Sequence, residues 1–265
     1  IRITRENDVN NFSVLGNENF DDVWNDPLLK HSNIMSSLFH QHVVLCESDS
    51  DCKLYSIIES HIKQKSDKYS ETLYIHCGGK HRMAKIAKAL KMLNIDTKLI
   101  PDIDVLNDEN VYRSIVEAFG IEWASIEGHY KTIVGNLHSV KENIKRSEAT
   151  AVIEQVLSSS KNATLSKKEI ETIKEALKTV SKWATLKEFG TNAIPRGDAT
   201  VAFDSMNTIL KEHGIYIVPV GELECFIKEV GGHGPDWVNT VLEKYPNLDD
   251  PVYKEISKFV QSINL

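Results

Sequence analysis

A chain of 265 residues that is 41% hydrophobic and 26% charged has enough apolar content for a packed core, which excludes a disordered chain. No run approaches the roughly 20 uninterrupted apolar residues of a membrane span, and the polar start IRITRENDVNN is no signal peptide. A formal net charge of −7 gives no bulk attraction to nucleic acid, although a basic patch can sit on an acidic protein. The first residue is Ile1 rather than Met, so the chain is expected to be a piece of something longer. Cys46, Cys52, Cys77 and Cys225 form no C-x-x-C pair and read as free thiols of a reducing cytoplasm.

The first informative element is the apolar run His42-Val43-Val44-Leu45-Cys46, of strand length, which ends in the acidic cluster Glu47-Ser48-Asp49-Ser50-Asp51. Leu54, Tyr55, Ile57, Ile58 and Ile62 then recur at helical spacing, with Ser and Asp available as N-caps. A second strand, Leu73 to His76, runs into Gly78-Gly79, and the helix after it carries Met83, Ile86, Ala87, Leu90 and Leu93 on one face. A third strand, Thr97 to Ile100, ends at Pro101-Asp102-Ile103-Asp104. This alternation with short links predicts an α/β fold, a parallel sheet flanked by helices.

From about Val111 to Phe189 the pattern is helical, and Lys167 through Glu188 reads as an exposed amphipathic helix with Ile170, Ile173, Leu177 and Val180 on its inner face. Between Ser139 and Gly190 there are ten Lys or Arg against seven Asp or Glu, a balance of +3 in a chain of net charge −7. A fourth strand is expected at Ile215 to Pro219, leading into Gly221-Glu222-Leu223-Glu224. The tight loop Gly231-Gly232-His233-Gly234-Pro235 precedes a helix opening at Asp236, and a last helix is expected from Pro251 to Ile263.

Three of the four strands therefore end in carboxylates: Glu47, then Asp102 with Asp104, then Glu222 with Glu224. In an open parallel sheet the carboxyl ends of the strands share one edge, where ligands bind. Acids gathered there repel one another unless a positive group separates them, and Mg²⁺ or Mn²⁺ held by a few carboxylates and substrate phosphates would do so. In an extended segment the D-x-D spacing would send both side chains to the same side.

Glu47 with Asp51 (CESDSDCKLY), followed by a strand ending in Asp102 and Asp104 (LIPDIDVLND), resembles the Toprim fold of topoisomerases, DnaG-type primases and several nucleases. The Gly78-Gly79-Lys80 helix start, the G-E-L-E turn and the GHGPDW segment make the chain most similar to the C-terminal Toprim domain of OLD (overcoming lysogenization defect) nucleases. The resemblance covers roughly residues 25 to 110 and 210 to 245. It divides the chain into a lead-in (1–40), a first Toprim part (41–110), a helical insertion (111–204) and a second Toprim part with C-terminal helices (205–265).

The resemblance implies that Glu47 is a metal ligand or general acid/base and that Asp51 helps it hold one metal. Asp102 and Asp104 would hold a second, with Glu222 or Glu224 as the late acid. It further implies Mg²⁺ or Mn²⁺ at a two-metal site that hydrolyses phosphodiesters. Nucleic acid, chiefly DNA, would be the substrate, and an ATPase domain would precede this part; the chain itself holds no G-x-x-x-x-G-K-[ST] loop. A homo-oligomer is compatible with this arrangement. One departure stands out: related nucleases often carry a lysine after the last acidic motif, where this chain has His233, so His233 is the candidate for that place.

Two other readings use the same residues. A catalytically silent Toprim-like regulatory or assembly module would retain the fold without turnover. A haloacid-dehalogenase-like phosphatase also uses D-x-D, but usually on its first strand. Gly78-Gly79-Lys80 could form a phosphate seat, although a plain strand-to-helix turn explains it more simply. The histidines show no spacing suited to zinc.

Overall fold

The computed structural model describes residues 2–6, 8–14, 33–40, 42–67, 71–138, 146–159, 162, 164–176 and 182–263. Residues 15–32 of the expected lead-in and the positions Leu177 and Val180 of the expected amphipathic helix lie outside them. The elements, in chain order, are strands β1 (Arg2–Glu6), β2 (Val9–Ser13) and β3 (His42–Cys46), helix α1 (Asp49–Gln64), β4 (Thr72–His76), α2 (Lys80–Met92) and β5 (Asp96–Ile100). Helices follow: α3 (Glu109–Ala118), α4 (Trp123–His138), α5 (Arg146–Ser158), α6 (Lys167–Ala176), α7 (Lys182–Phe189), α8 (Asp198–Glu212), α9 (Gly234–Lys244) and α10 (Lys254–Ser262). No described helix is long and apolar enough to cross a membrane. All four cysteines are free thiols.

β1 and β2 form an antiparallel hairpin of their own. The main sheet is parallel, three-stranded and ordered β4-β3-β5, which places β3 at its centre. The chain leaves β3 to one side through α1 and returns past it to the other side through α2. That reversal of winding opens a crevice at the carboxyl ends of β3 and β5.

The strand sequences explain the two-faced packing. Along β3, Val43 and Leu45 join a core with Met83, Ile86 and Leu90 of α2, and with residues of α3, α4 and α8. Val44 and Cys46 face the opposite core, with Leu54, Tyr55 and Ile58 of α1, Trp237 and Val238 of α9, and Ile256 of α10. A strand covered on both faces needs a continuous apolar run, and HVVLC supplies one. Val43, Val44 and Leu45 are wholly buried, a contribution of about 1.5–3 kcal/mol for each such side chain.

The fourth strand expected at Ile215 to Pro219 is reduced to a single parallel bridge, Leu99 to Ile215. Its hydrogen bonds nevertheless follow a parallel ladder beside β5. Leu99 N–H donates to Gly214 O at 2.8 Å, Tyr216 N–H to Leu99 O at 2.8 Å, and Val218 N–H to Pro101 O at 3.0 Å. The missing rung would require an N–H at residue 101, which is proline and has none. The segment therefore runs beside the carboxyl end of β5, held by these three hydrogen bonds at Leu99 and Pro101.

The stretch from Lys167 to Glu188, read as one helix, falls on α6 and α7, with 177–181 outside the described residues. The last predicted helix begins as a 3₁₀ turn at Pro251–Tyr253 before α10.

Candidate active site

The acids reach the crevice through three strand ends. Glu47 directly follows β3, and its carbonyl accepts from Gly79 N–H at 3.2 Å, so the turn after β4 is tied to it. That turn needs two glycines, Gly78 at φ 68° and Gly79 at φ 109°, a region where a side chain is strained. It delivers Lys80, the first residue of α2, with Nζ 3.3 Å from Asp104 Oδ1 and 3.1 Å from Asp104 O.

Asp51 arrives through the start of α1. Ser48 N–H donates to Asp51 Oδ2 at 2.8 Å and Asp51 N–H to Ser48 Oγ at 3.4 Å, a reciprocal cap that satisfies two amides of the helix end. The same carboxylate is therefore a helix cap and a member of the acid group.

The D-x-D motif is not an extended segment. Asp102 is the N-cap of a 3₁₀ turn, Ile103–Asn107, and Asp104 lies in its first turn, so the period-2 argument for this pair fails. The G-E-L-E motif repeats the device, with Glu222 as N-cap of the 3₁₀ turn Leu223–Phe226 and Glu224 inside it. The two turns are joined side by side, Ile103 N–H donating to Gly221 O at 3.0 Å. A tight 3₁₀ turn after each strand end, rather than strand pleating, places each pair of acids.

Electrostatics show which acids share the crevice. Burial raises the Asp102 carboxyl well above the usual range, and Asp51, Glu47, Asp104 and Glu222 add repulsion. Burial also lifts Glu47, with Asp104 next in weight. Asp51 is pushed up to about 6 by burial against the pull of its Ser48 bonds, with Glu224 and Glu222 adding to the rise. Glu47 Oε2 is buried and accepts no hydrogen bond, whereas the buried Asp104 Oδ1 has the Lys80 ammonium at 3.3 Å as its counter-charge. Five acids thus act on one another, and Glu224 reaches Asp51 from their edge.

Glu224 is otherwise occupied, because its Oε1 accepts from Gly234 N–H at 2.8 Å. His233 is exposed and forms the N-cap of α9. Its neighbour's amide, rather than its own ring, meets Glu224.

Two lysines, rather than His233, bring positive charge to the acids. Lys80 was read chiefly as part of a turn. Lys187 of α7, in the stretch read as a solvated helix, has Nζ 2.8 Å from Glu222 Oε2. That bond holds its ammonium firmly protonated, and Asp104 and Asp102 add to the effect. Gly78-Gly79 gave a signal for Lys80; no spacing pointed to Lys187.

Among the described residues, no three His, Cys, Asp or Glu side chains form a ready-made cage for a metal ion. The donor set still suits Mg²⁺ or Mn²⁺, which take one or two carboxylates together with water and substrate phosphates. The buried, unpartnered oxygen of Glu47, with Asp104 and Asp51 acting on the same carboxylate, is the observation that fits such an ion.

No curated protein matches the chain. The family model described as "Overcoming lysogenization defect protein-like, TOPRIM domain" matches residues 38–104. That interval contains β3, α1, β4, α2 and β5 and four of the converging acids, Glu47, Asp51, Asp102 and Asp104. With the parallel sheet and its flanking helices, the match identifies this part of the chain as a Toprim domain of the OLD-like family.

Proposed function

We propose that the protein is a metal-dependent nuclease that hydrolyses phosphodiester bonds in nucleic acid, DNA first among the candidates. The observation that carries this reading is the crowding of Glu47, Asp51, Asp102, Asp104 and Glu222 at one sheet edge, with Glu47 Oε2 buried and unpartnered. Crowded carboxylates with raised pKa values are costly to folding and mark a site built for a positively charged ligand.

Glu47, Asp51, Asp102, Asp104 and Glu222 would hold Mg²⁺ or Mn²⁺. Such ions polarise a phosphodiester, activate the attacking water and stabilise the leaving oxygen. Glu47, lifted by burial and lying at the central strand, is suited to take a proton from that water. Lys80 and Lys187 would orient the phosphate and offset its charge. The exposed lysines Lys167, Lys168 and Lys174 on α6 offer phosphate-backbone contacts away from the acids. An ATPase domain ahead of this part and self-association belong to the same proposal.

The Lys80–Asp104 and Lys187–Glu222 ion pairs also favour a second reading, a Toprim-like module whose acids are neutralised internally and which does not turn over. A phosphatase is disfavoured by the family match and by D-x-D standing after β5 rather than on the first strand of the sheet. Incubation of supercoiled plasmid with the protein and Mn²⁺ separates these readings. The nuclease nicks it, and Asp102→Ala with Asp104→Ala does not. An intact plasmid together with an unchanged melting temperature in millimolar Mn²⁺ would overturn the proposal, because an ion bound only by the folded state must stabilise it.

A further inference from the structure

The placement of Lys187 is fixed by the backbone rather than by its own flexible side chain. The end of α7 presses on the turn that carries Glu222 at two glycines. A Cβ on Gly221, at φ 114°, would lie 1.9 Å from Lys187 O, and one on Gly190, at φ 59°, would lie 2.0 Å from Pro219 O. Thr191 N–H donates to Pro219 O at 2.8 Å. The last carbonyls of the helix find donors on the far side of the same turn. Cys225 Sγ lies 3.4 Å from Glu188 O and 3.6 Å from Lys187 O, and Lys228 Nζ donates to Glu188 O at 3.0 Å. Lys228 also stands over the Phe189 ring at 4.9 Å. An element outside the matched interval 38–104 is thus docked, backbone to backbone, so that one lysine enters the acid group.

The position is informative because the acids are unequally served. Glu222 is paired with Lys187 at 2.8 Å and Asp104 more loosely with Lys80 at 3.3 Å, whereas Glu47 Oε2 has no hydrogen bond. Lys187 is also only partly enclosed, with 44% of its side chain exposed, and so has room to swing away from Glu222. A lysine ammonium on a flexible stem is suited to exchange between a carboxylate and a phosphate.

We propose that Lys187 is the exchangeable counter-charge of this site, pairing with Glu222 in the metal-free protein and transferring to the substrate phosphate once a divalent cation occupies the acids. The inference rests on the metal-site reading above and adds to it a competition between Lys187 and the metal, together with the residue that meets the phosphate. It takes the place in charge balance for which His233 was the sequence candidate.

The test is a titration of Mn²⁺ against melting temperature for the wild type, Lys187→Met and Lys187→Arg, paired with plasmid nicking. Removing one positive charge beside a cation site should tighten Mn²⁺ binding on the order of tenfold, moving the midpoint of the titration to lower concentration. The same Lys187→Met change should slow nicking about a hundredfold, the scale of losing one charge-stabilising donor. Lys187→Arg keeps the charge and should stay near the wild-type midpoint, which separates the effect from damage to folding. A Lys187→Met midpoint equal to or higher than that of the wild type overturns the competition. Absence of any Mn²⁺ response in the wild type removes the metal-site reading and this proposal together. A wild type that binds Mn²⁺ without nicking sinks the nuclease reading and with it the transfer of Lys187 to a substrate phosphate, while the midpoint shift still decides the competition between Lys187 and the metal.

Discussion

The two halves of the acid group are built on different principles. The half within 38–104 brings Glu47, Asp51 and Asp102 into the crevice with raised pKa values, leaves Glu47 Oε2 without a hydrogen bond, and has Lys80, paired with Asp104 at 3.3 Å, to offset them. The half supplied by 187–234 is already compensated, with Glu222 paired to Lys187 and Glu224 bonded to the Gly234 amide. The first half stores unfavourable electrostatic energy and the second restrains it. A site of this kind is destabilising in itself, and the rest of the fold must hold it together.

The sharpest way to break the contrast is Glu47→Gln, which keeps size and removes charge from the less compensated half. Cleavage should fall on the order of a thousandfold while substrate affinity changes little, because the lost interaction belongs to the transition state. Single-turnover nicking and a filter-binding assay measure the two effects separately.

Gly221→Ala attacks the compensated half at its backbone. With φ 114° and Lys187 O in the way, the change should cost on the order of 3 kcal/mol of stability. Urea denaturation checks the value, and a loss below 1 kcal/mol would mean that α7 is not anchored at that turn.

The third effect is a pH dependence. Burial raises Asp51 from 3.8 to about 6, so between those values the folded protein keeps a proton that the unfolded chain has released. Stability from this group is therefore highest below about pH 4 and is lost as pH rises through about 6, with Glu47 and Asp102 shifted in the same direction. In chelator, the wild type should lose roughly 1–3 kcal/mol more than Asp51→Asn between pH 4 and pH 6.5. Parallel curves for the two proteins would show that Asp51 is not strained. The smallest effect is expected from Ser48→Ala, which removes one side of the helix cap and should cost about 1 kcal/mol, measurable by thermal unfolding.

Much of the sheet was legible because its signals are local. HVVLC, LYIH and TKLI are short apolar runs bounded by turn residues, and all three fall on β3, β4 and β5. The acids at strand ends could be placed on one edge because parallel connection forces those ends to coincide. What escaped was set by backbone proximity between distant residues. Lys187 lies 35 positions before Glu222 in the numbering, and only the close packing at Gly190 and Gly221 unites them. Pro101 was visible as a residue, but its effect on the fourth strand depends on which rung it occupies. The D-x-D spacing suggested strand pleating, and the 3₁₀ turn at Ile103–Asn107 takes its place in positioning Asp102 and Asp104.

The reciprocal bond between Ser48 and Asp51 makes the first turn of α1 a natural reporter of the crevice. A ligand that draws on Asp51 Oδ2 competes with the Ser48 amide for that oxygen. The amide protons of Ser48 and Asp51 should therefore exchange with solvent at a rate that follows occupancy of the crevice. Binding could then be read by hydrogen exchange at the start of a helix packed on the sheet, with no substrate turned over.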